Sequence, residues 1–293
     1  MTPARLGRIV SATVLAPSLE SACESYARAL HLAVLHWTVL TPTMAAHLDL
    51  HELSGARSVW LGTAGQAPWL RVIEAASALP AIPMRRHGWL ALEVLVGNVD
   101  VLVAALPPGW IVLGPPADLD VSPNIRASQV LGPCGEMYYL TEVKAPVPPF
   151  DLPQTTALVD RPFIVVLSTP SRERTQAAWE ALAERLALAF HTRITVLNRE
   201  LGRALGERYP VAVLQFREQC LIEIDEVALP PFDATQRVLG THLVSIACDS
   251  LDRGIEGLGA VHAVDGPGYG GARSALWRGP CGERVELIES VSR

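Results

Sequence analysis

Leu131-Gly-Pro-Cys-Gly-Glu136 and Arg278-Gly-Pro-Cys-Gly-Glu283 decide the reading of this chain. Each is a turn punctuated by glycine and proline and followed by an apolar run, Met137 to Val143 in one case and Arg284 to Ile288 in the other. A five-residue identity can arise by chance, so the test is whether the flanking sequence follows in the same order. It does. Ile9 to Leu15 is a short apolar run, after which Ser18 caps a helix with Leu19, Ala22, Tyr26 and Ala29 on one face. Phe163 to Leu167, Ser171 and the stripe Trp179, Leu182, Leu186 and Phe190 repeat that pattern.

Further on, Trp69 to Glu74 corresponds to Leu221 to Glu226, with Arg71 matched to Glu223. Trp89 to Val96 and His242 to Cys248 read as strands. Helical stripes follow in both places, Val99, Leu102, Val103 and Leu106 in one and Leu251, Ile255 and Leu258 in the other. The offset between the copies falls from 153 at Ser18 and Ser171 to 147 at Gly132 and Gly279, which a shorter loop in the second copy explains. The chain is an internal duplication. Between the copies, Ala145 to Pro153 carries four prolines in nine residues and reads as an extended spacer. The expected division is residues 1–144, a linker at 145–159, and residues 160–293.

The 293 residues, 49% hydrophobic and 18% charged, suffice for two packed domains of about 100–200 residues each. A net charge of −6 argues against a nucleic-acid surface. No apolar run reaches the ~20 residues of a membrane span. Arg5, Arg8 and Ser21-Ala22-Cys23 faintly resemble a lipoprotein signal, but Glu20 interrupts it and the stretch reads better as strand and helix. The five cysteines contain no CxxC pair, so reduced thiols in a cytoplasmic protein, monomer or homodimer, are expected.

Each copy runs strand, helix, several strands, then the same again: a pair of β-α-β-β-β motifs in an α+β fold. Ser18-Leu-Glu20 with Tyr26 and Leu30, and Gly-Pro-Cys-Gly-Glu before an apolar strand, resemble the opening and closing patterns of the vicinal oxygen chelate superfamily of glyoxalases, bleomycin-resistance proteins and extradiol dioxygenases. The resemblance covers nearly the whole chain. It implies two tandem glyoxalase-like domains, each a curved half-barrel sheet with helices outside and a small-molecule pocket on the concave face.

The resemblance also implies candidate residues. In the first copy the superfamily's four metal positions fall on Ser11, Arg71, Ala91 and Tyr139, which would not hold a cation. Arg71 instead reads as an anchor for an anion or a polar planar molecule, with Trp89, Glu93 and Tyr139 nearby; the alternative is that Arg71 pairs with Glu93 across the sheet. In the second copy the positions are Ile164, Glu223, His242 or Leu243, and Glu286. If Glu223, His242 and Glu286 converge they would hold one divalent metal ion for lyase, isomerase or dioxygenase-type chemistry. Without a metal, Glu223 and Glu286 could act as a catalytic acid–base pair, or the protein could sequester a small molecule as bleomycin-resistance proteins do. Ser245 lies in the pocket row of its strand, whereas Val244, Ile246 and Cys248 share the face of His242, so that histidine also reads as a strand-end packing residue. Arg273, equivalent to Arg126, is either a ligand contact or a solvent-facing charge. Gly266 to Gly271 reads as a flexible loop at the pocket mouth, and His47, His51 and Glu52 as a solvated loop.

Overall fold

The computed structural model describes residues 5–229 and 236–290. It contains the expected four motifs. The first holds β1 (Leu6–Ala16), α1 (Leu19–Leu30), β2 (Leu32–Val39), α2 (Pro42–His47), β3 (Arg57–Thr63) and β4 (Leu70–Glu74). The second holds β5 (Gly88–Val96), α3 (Val99–Ala104), β6 (Ile111–Leu119), β7 (Ser122–Leu131) and β8 (Met137–Val143). The third holds β9 (Val159–Thr169), α4 (Arg172–Ala183), β10 (Leu188–Arg193), α5 (Thr195–Glu200), β11 (Arg208–Gln215) and β12 (Leu221–Glu226). The fourth holds β13 (Gly240–Cys248), β14 (His262–Ala263), β15 (Arg273–Arg278) and β16 (Arg284–Glu289). In every motif the first strand lies parallel to the fourth, and the third and second follow outward.

The duplication extends to the caps. Ser18 and Ser171 each accept the backbone N–H three residues on, and His31 and Glu184 both end their helices in the left-handed conformation. The fourth motif departs from expectation, because no helix forms over Leu251 to Leu258. Gly254 and Gly257 take positive φ there, and glycine costs a helix interior about 1 kcal/mol relative to alanine. Leu251 is buried, and Ile255 and Leu258 pack on the core from an irregular segment.

The pairing of the motifs crosses the linker. One curled eight-stranded sheet runs β14-β15-β16-β13-β1-β4-β3-β2, joined by antiparallel β1 and β13. The other runs β10-β11-β12-β9-β5-β8-β7-β6, joined by antiparallel β5 and β9. Each sheet therefore takes one motif from each copy, where a sheet per copy was the expectation.

The duplicated turn shows what ties the sheets together. The glycine N–H of Gly132 donates to Glu136 O and that of Gly279 to Glu283 O, closing both turns alike. Each glutamate folds back to accept the N–H of Cys134 or Cys281 at 2.9 Å. A β-carbon on Gly132 or Gly279 would meet that carboxylate at 1.9 or 1.8 Å, so a side chain there would displace the glutamate from its hydrogen bonds. The remaining acceptor capacity reaches a helix that follows the other sheet's strand: Tyr26 Oη of α1 donates to Glu136 at 2.6 Å, and Trp179 Nε1 of α4 to Glu283 at 3.0 Å. Trp179 is fully buried among Trp89, Phe216 and Trp277. Among the described residues no helix is long and apolar enough to cross a membrane.

This pairing makes a prediction. Residues 1–144 and 160–293 expressed separately should fail to give folded monomers, because each lacks the partner strand of its central pairs. Co-expressed, they should elute as a 1:1 complex in size-exclusion chromatography. A folded, monomeric 1–144 fragment by NMR would contradict the pairing.

Candidate functional site

The side chains opposite the helices line the two inner faces, and strand alternation determines which residues share them. On the β1/β13 sheet, Ser11, Thr13, Arg71, Trp60, Ser245 and Glu286 share one inner face through the registers Ser11 with Ser245, Thr13 with Arg71, Arg71 with Trp60, and Ser245 with Glu286. Arg71, 2% exposed, donates from Nε to Thr13 Oγ1 at 2.9 Å and from Nη1 to Tyr269 Oη at 2.6 Å. Its guanidinium lies 4.9 Å over the Trp60 ring and 3.6 Å from Glu286 Oε2.

Glu286, fully buried, is the centre of this network. His47 Nε2, Tyr269 Oη and Ser274 Oγ donate to Oε1 at 3.0, 2.8 and 3.2 Å, and Ser245 Oγ donates to Oε2 at 2.5 Å. Burial alone would raise its pKa. The hydrogen bond from His47, the charge of Arg71 and the bond from Ser245 outweigh burial and hold the carboxyl at about 2.

This face is closed. α2 lies over it, bringing His47, and an apolar cluster of Leu15, Leu48, Leu50, Ile73 and Leu243 seals one side. The glycine-rich loop seals the other. Gly266, Gly268, Gly270 and Gly271 all have positive φ, and a β-carbon on Gly268 would meet the Trp60 ring at 2.9 Å. The loop thereby lowers Tyr269, 6% exposed, between Arg71 and Glu286. The expected flexible mouth loop is a plug, and the expected solvated His47 is a buried partner of Glu286.

The other inner face is open. On the β5/β9 sheet, Glu93 stands opposite Tyr139 and Ile164, and Glu223 lies on neighbouring β12. A cavity of about 330 Å³ is lined by Glu93, Tyr139, Glu223, Ala127, Gln129 and Val196, among others, within the range of ligand pockets. Glu93, 6% exposed, accepts from Thr141 Oγ1 at 2.6 Å. Burial first, and the charge of Glu223 next, push its pKa up to about 8 against the easing bond from Thr141. Asp225, two residues beyond Glu223 on the same face, is fully buried; no other residue donates to its carboxylate, and it lies against Glu223, with which it shares a hydrogen bond when one of the two is protonated. Burial raises both Glu223 and Asp225; their shared hydrogen bond eases Glu223, while the charge of Glu223 and that bond raise Asp225 further. Tyr139 Oη is buried without a partner, and burial followed by the charges of Asp225, Glu223 and Glu93 raises it well above the usual phenol value.

Several expectations are therefore corrected. Arg71 pairs with Glu286 instead of Glu93, because β4 and β16 flank the joined β1 and β13. Glu223 and Glu286 lie in different sheets and form no acid–base pair. His242 joins neither: its Nε2 donates to Leu48 O at 3.0 Å, and burial, then the charge of Arg284, press its pKa down to about 3. Glu223, His242 and Glu286 thus do not converge on a metal, and a guanidinium occupies the space beside Glu286. Among the described residues no group of three or more His, Cys, Asp or Glu could hold a metal ion. Trp89 packs edge-on against Trp179 and donates to Arg284 O at 3.0 Å, away from the cavity. Ser245 serves the closed network. Arg273 pairs at the surface with Asp252 and Glu289, as Arg126 does with Asp100 and Asp118. Glu93, Tyr139 and Glu223 do meet at one cavity, although they come from different copies of the repeat.

The two faces should respond oppositely to pH. The low pKa of Glu286 supplies stability that is complete above its ordinary value of 4.5 and lost as pH falls toward 2. The raised pKa of Glu93 does the reverse, and its contribution is lost as pH rises from 4.5 through 8. Glu286→Gln should cost about 3–5 kcal/mol near pH 7, the cost of leaving a buried charge unpaired, and less in acid. Glu93→Gln should be more stable than the parent at pH 9 and close to it at pH 4. Urea unfolding across this range checks both, and parallel profiles for the two variants would contradict the assignment.

No family model matches this sequence, and no curated protein does. Solved structures do resemble it in fold. Glyoxalase I from Zea mays superposes with a TM-score of 0.62 at 14% identity, covering 96% of this chain and 92% of that one. A "putative dioxygenase" from Bacillus subtilis gives 0.66 at 11% identity, with 98% and 86% covered. The cppA protein from Streptococcus pneumoniae gives 0.50 at 10% identity, with 97% and 100% covered.

Proposed function

On the tandem fold of the vicinal oxygen chelate proteins, we propose that this chain binds a small organic molecule in the β5/β9 half-barrel and uses no resident metal to do so. One observation carries the reading: the two inner faces share a scaffold, yet one is filled by its own Tyr269 and the other leaves a cavity of about 330 Å³ with Tyr139 Oη unpartnered. A buried polar group without a partner costs stability, and a ligand that bonds Tyr139 would recover it. Of the readings open from sequence, this supports the metal-free binding protein of the bleomycin-resistance kind. The metal-dependent lyase, isomerase or dioxygenase would need a ligand set that Glu223, His242 and Glu286 do not form.

A metal-free acid–base enzyme is the second reading, favoured by Glu93, whose pKa of about 8 suits proton exchange near neutrality. The closed face is its structural counterpart, with Arg71 and Glu286 locked together in place of a ligand. Five free cysteines fit the reducing cytoplasm. One polypeptide supplies both motifs around the cavity, so a single chain suffices to build the site, as monomer or within a homodimer.

A thermal-shift screen of a metabolite library tests this reading. Compounds that raise the melting temperature of the parent should lose their effect in Ala127→Trp, whose indole would fill the cavity, and in the milder Ala127→Leu. Hits that persist in both variants would contradict binding at this site. Untagged protein prepared with added Mn, Fe, Ni or Zn should retain no stoichiometric ion, and one equivalent retained would overturn the metal-free reading.

A further inference from the structure

The cavity's chemistry selects its occupant. We propose that the molecule bound there is a cation, an organic amine or similar nitrogen base whose positive group is met by the carboxyls of Glu93 and Glu223 beside the Tyr139 hydroxyl. This rests on the binding reading above and names the ligand class.

Three acidic side chains face one inner surface, and among the described residues none of them is ion-paired with a basic side chain of this chain. The contrast with Glu286 is direct, since that carboxyl has Arg71 and His47 against it. An acidic cluster alone is not a site, but one further group points to an absent partner. Tyr139, 8% exposed, lines the cavity with its hydroxyl unbonded, while Asp225 is fully buried behind the wall against Glu223.

The charges at the mouth do not supply the missing cation. Arg193 at the end of β10 is held by Asp120 of the β6–β7 turn, and Asp118 by Arg126 and Lys144. Arg199 of α5 lines the wall from an exposed position. The unpaired acid groups thus lie inside, below a rim where Arg193, Asp118 and Asp120 are already ion-paired. The apolar wall from Ala127, Ile194, Val196 and Leu119 suits the hydrocarbon part of an organic base.

Proton traffic follows from this arrangement. Burial favours the protonated forms of Glu93, Glu223 and Asp225 in the empty cavity. An ammonium that arrives already protonated pairs best with a carboxylate, so its binding expels a carboxyl proton to the solvent. The acid O–H bond breaks, the proton goes to buffer, and the carboxylate left behind pairs with the ligand.

The test uses a fragment panel of matched sets: aryl and alkyl amines, with the alcohol and carboxylate of each carbon skeleton. Affinities are measured at pH 7 by calorimetry in two buffers of different ionisation enthalpy. Amines should bind about tenfold or more tightly than their alcohols, the gain expected of a charge-assisted contact, and release about one proton per ligand. Glu93→Gln and Glu223→Gln should each weaken amine binding by about tenfold, with melting temperatures confirming that the variants fold. If alcohols or carboxylates bind in a manner blocked by Ala127→Trp while amines do not, the cation assignment fails and the binding site stands. If no member of any set binds, both fail.

Discussion

The antiparallel pairing of β1 with β13, and of β9 with β5, is the constraint from which the rest follows. Each first strand of one copy finds its neighbour in the other copy. That choice decides which side chains share an inner face, and hence what chemistry each face can support. It brings Arg71 to Glu286 and Glu93 to Glu223, combinations in which both members come from different copies. It also brings α1 and α4 against turns of the other sheet, where Tyr26 and Trp179 reach the carboxylates of Glu136 and Glu283. The six-residue turn is therefore a link between half-barrels as well as a reversal of the chain. Because Glu136 is buried and raised to about 7 by that burial, partly offset by Tyr26, the link tolerates its neutral form.

Duplication supplied two equivalent inner faces, and side-chain replacement has separated their uses. On one, a complete set of donors surrounds Glu286, and Tyr269 completes both the arginine and the carboxylate. Such a network rigidifies because the chain itself supplies every donor that the carboxylate takes. On the other, burial without pairing leaves Glu93, Glu223 and Asp225 high in pKa and Tyr139 unbonded. Unpaired buried groups cost free energy, and they persist most readily where a ligand or a reaction uses them.

The local parts of this architecture were legible in the sequence. Gly-Pro-Cys-Gly-Glu can be read because every atom that shapes the turn lies within a few residues of it. Ser18 and Ser171 can be read as caps for the same reason. Strand partners could not be read, since alternation specifies a face of a strand and says nothing about which motif lies beside it. Arg71, Glu93, Tyr139, Glu223 and Glu286 all stand out individually, and Glu93 with Tyr139 is a correct pair, but grouping by copy wrongly joins Arg71 to Glu93 and Glu223 to Glu286. His47 and Tyr269 were missed because both reach the inner face from connecting segments. Tyr269 did carry a signal, the glycines at 268 and 270 that let the loop descend. Leu251 to Leu258 misled because its apolar spacing is helical while Gly254 and Gly257 break the backbone.

The central claim is that one inner face holds an ionised, fully paired carboxylate and the other holds unpaired acids in an open cavity. Carbon-13 NMR titration of carboxyl-labelled glutamate, assigned with the Glu93→Gln and Glu286→Gln variants, measures this most directly. Glu93 should titrate near pH 8, and Glu286 should remain ionised down to about pH 2. If both carboxyls titrate together near 4.5, the ordinary value, the two faces are electrostatically alike and the account is wrong.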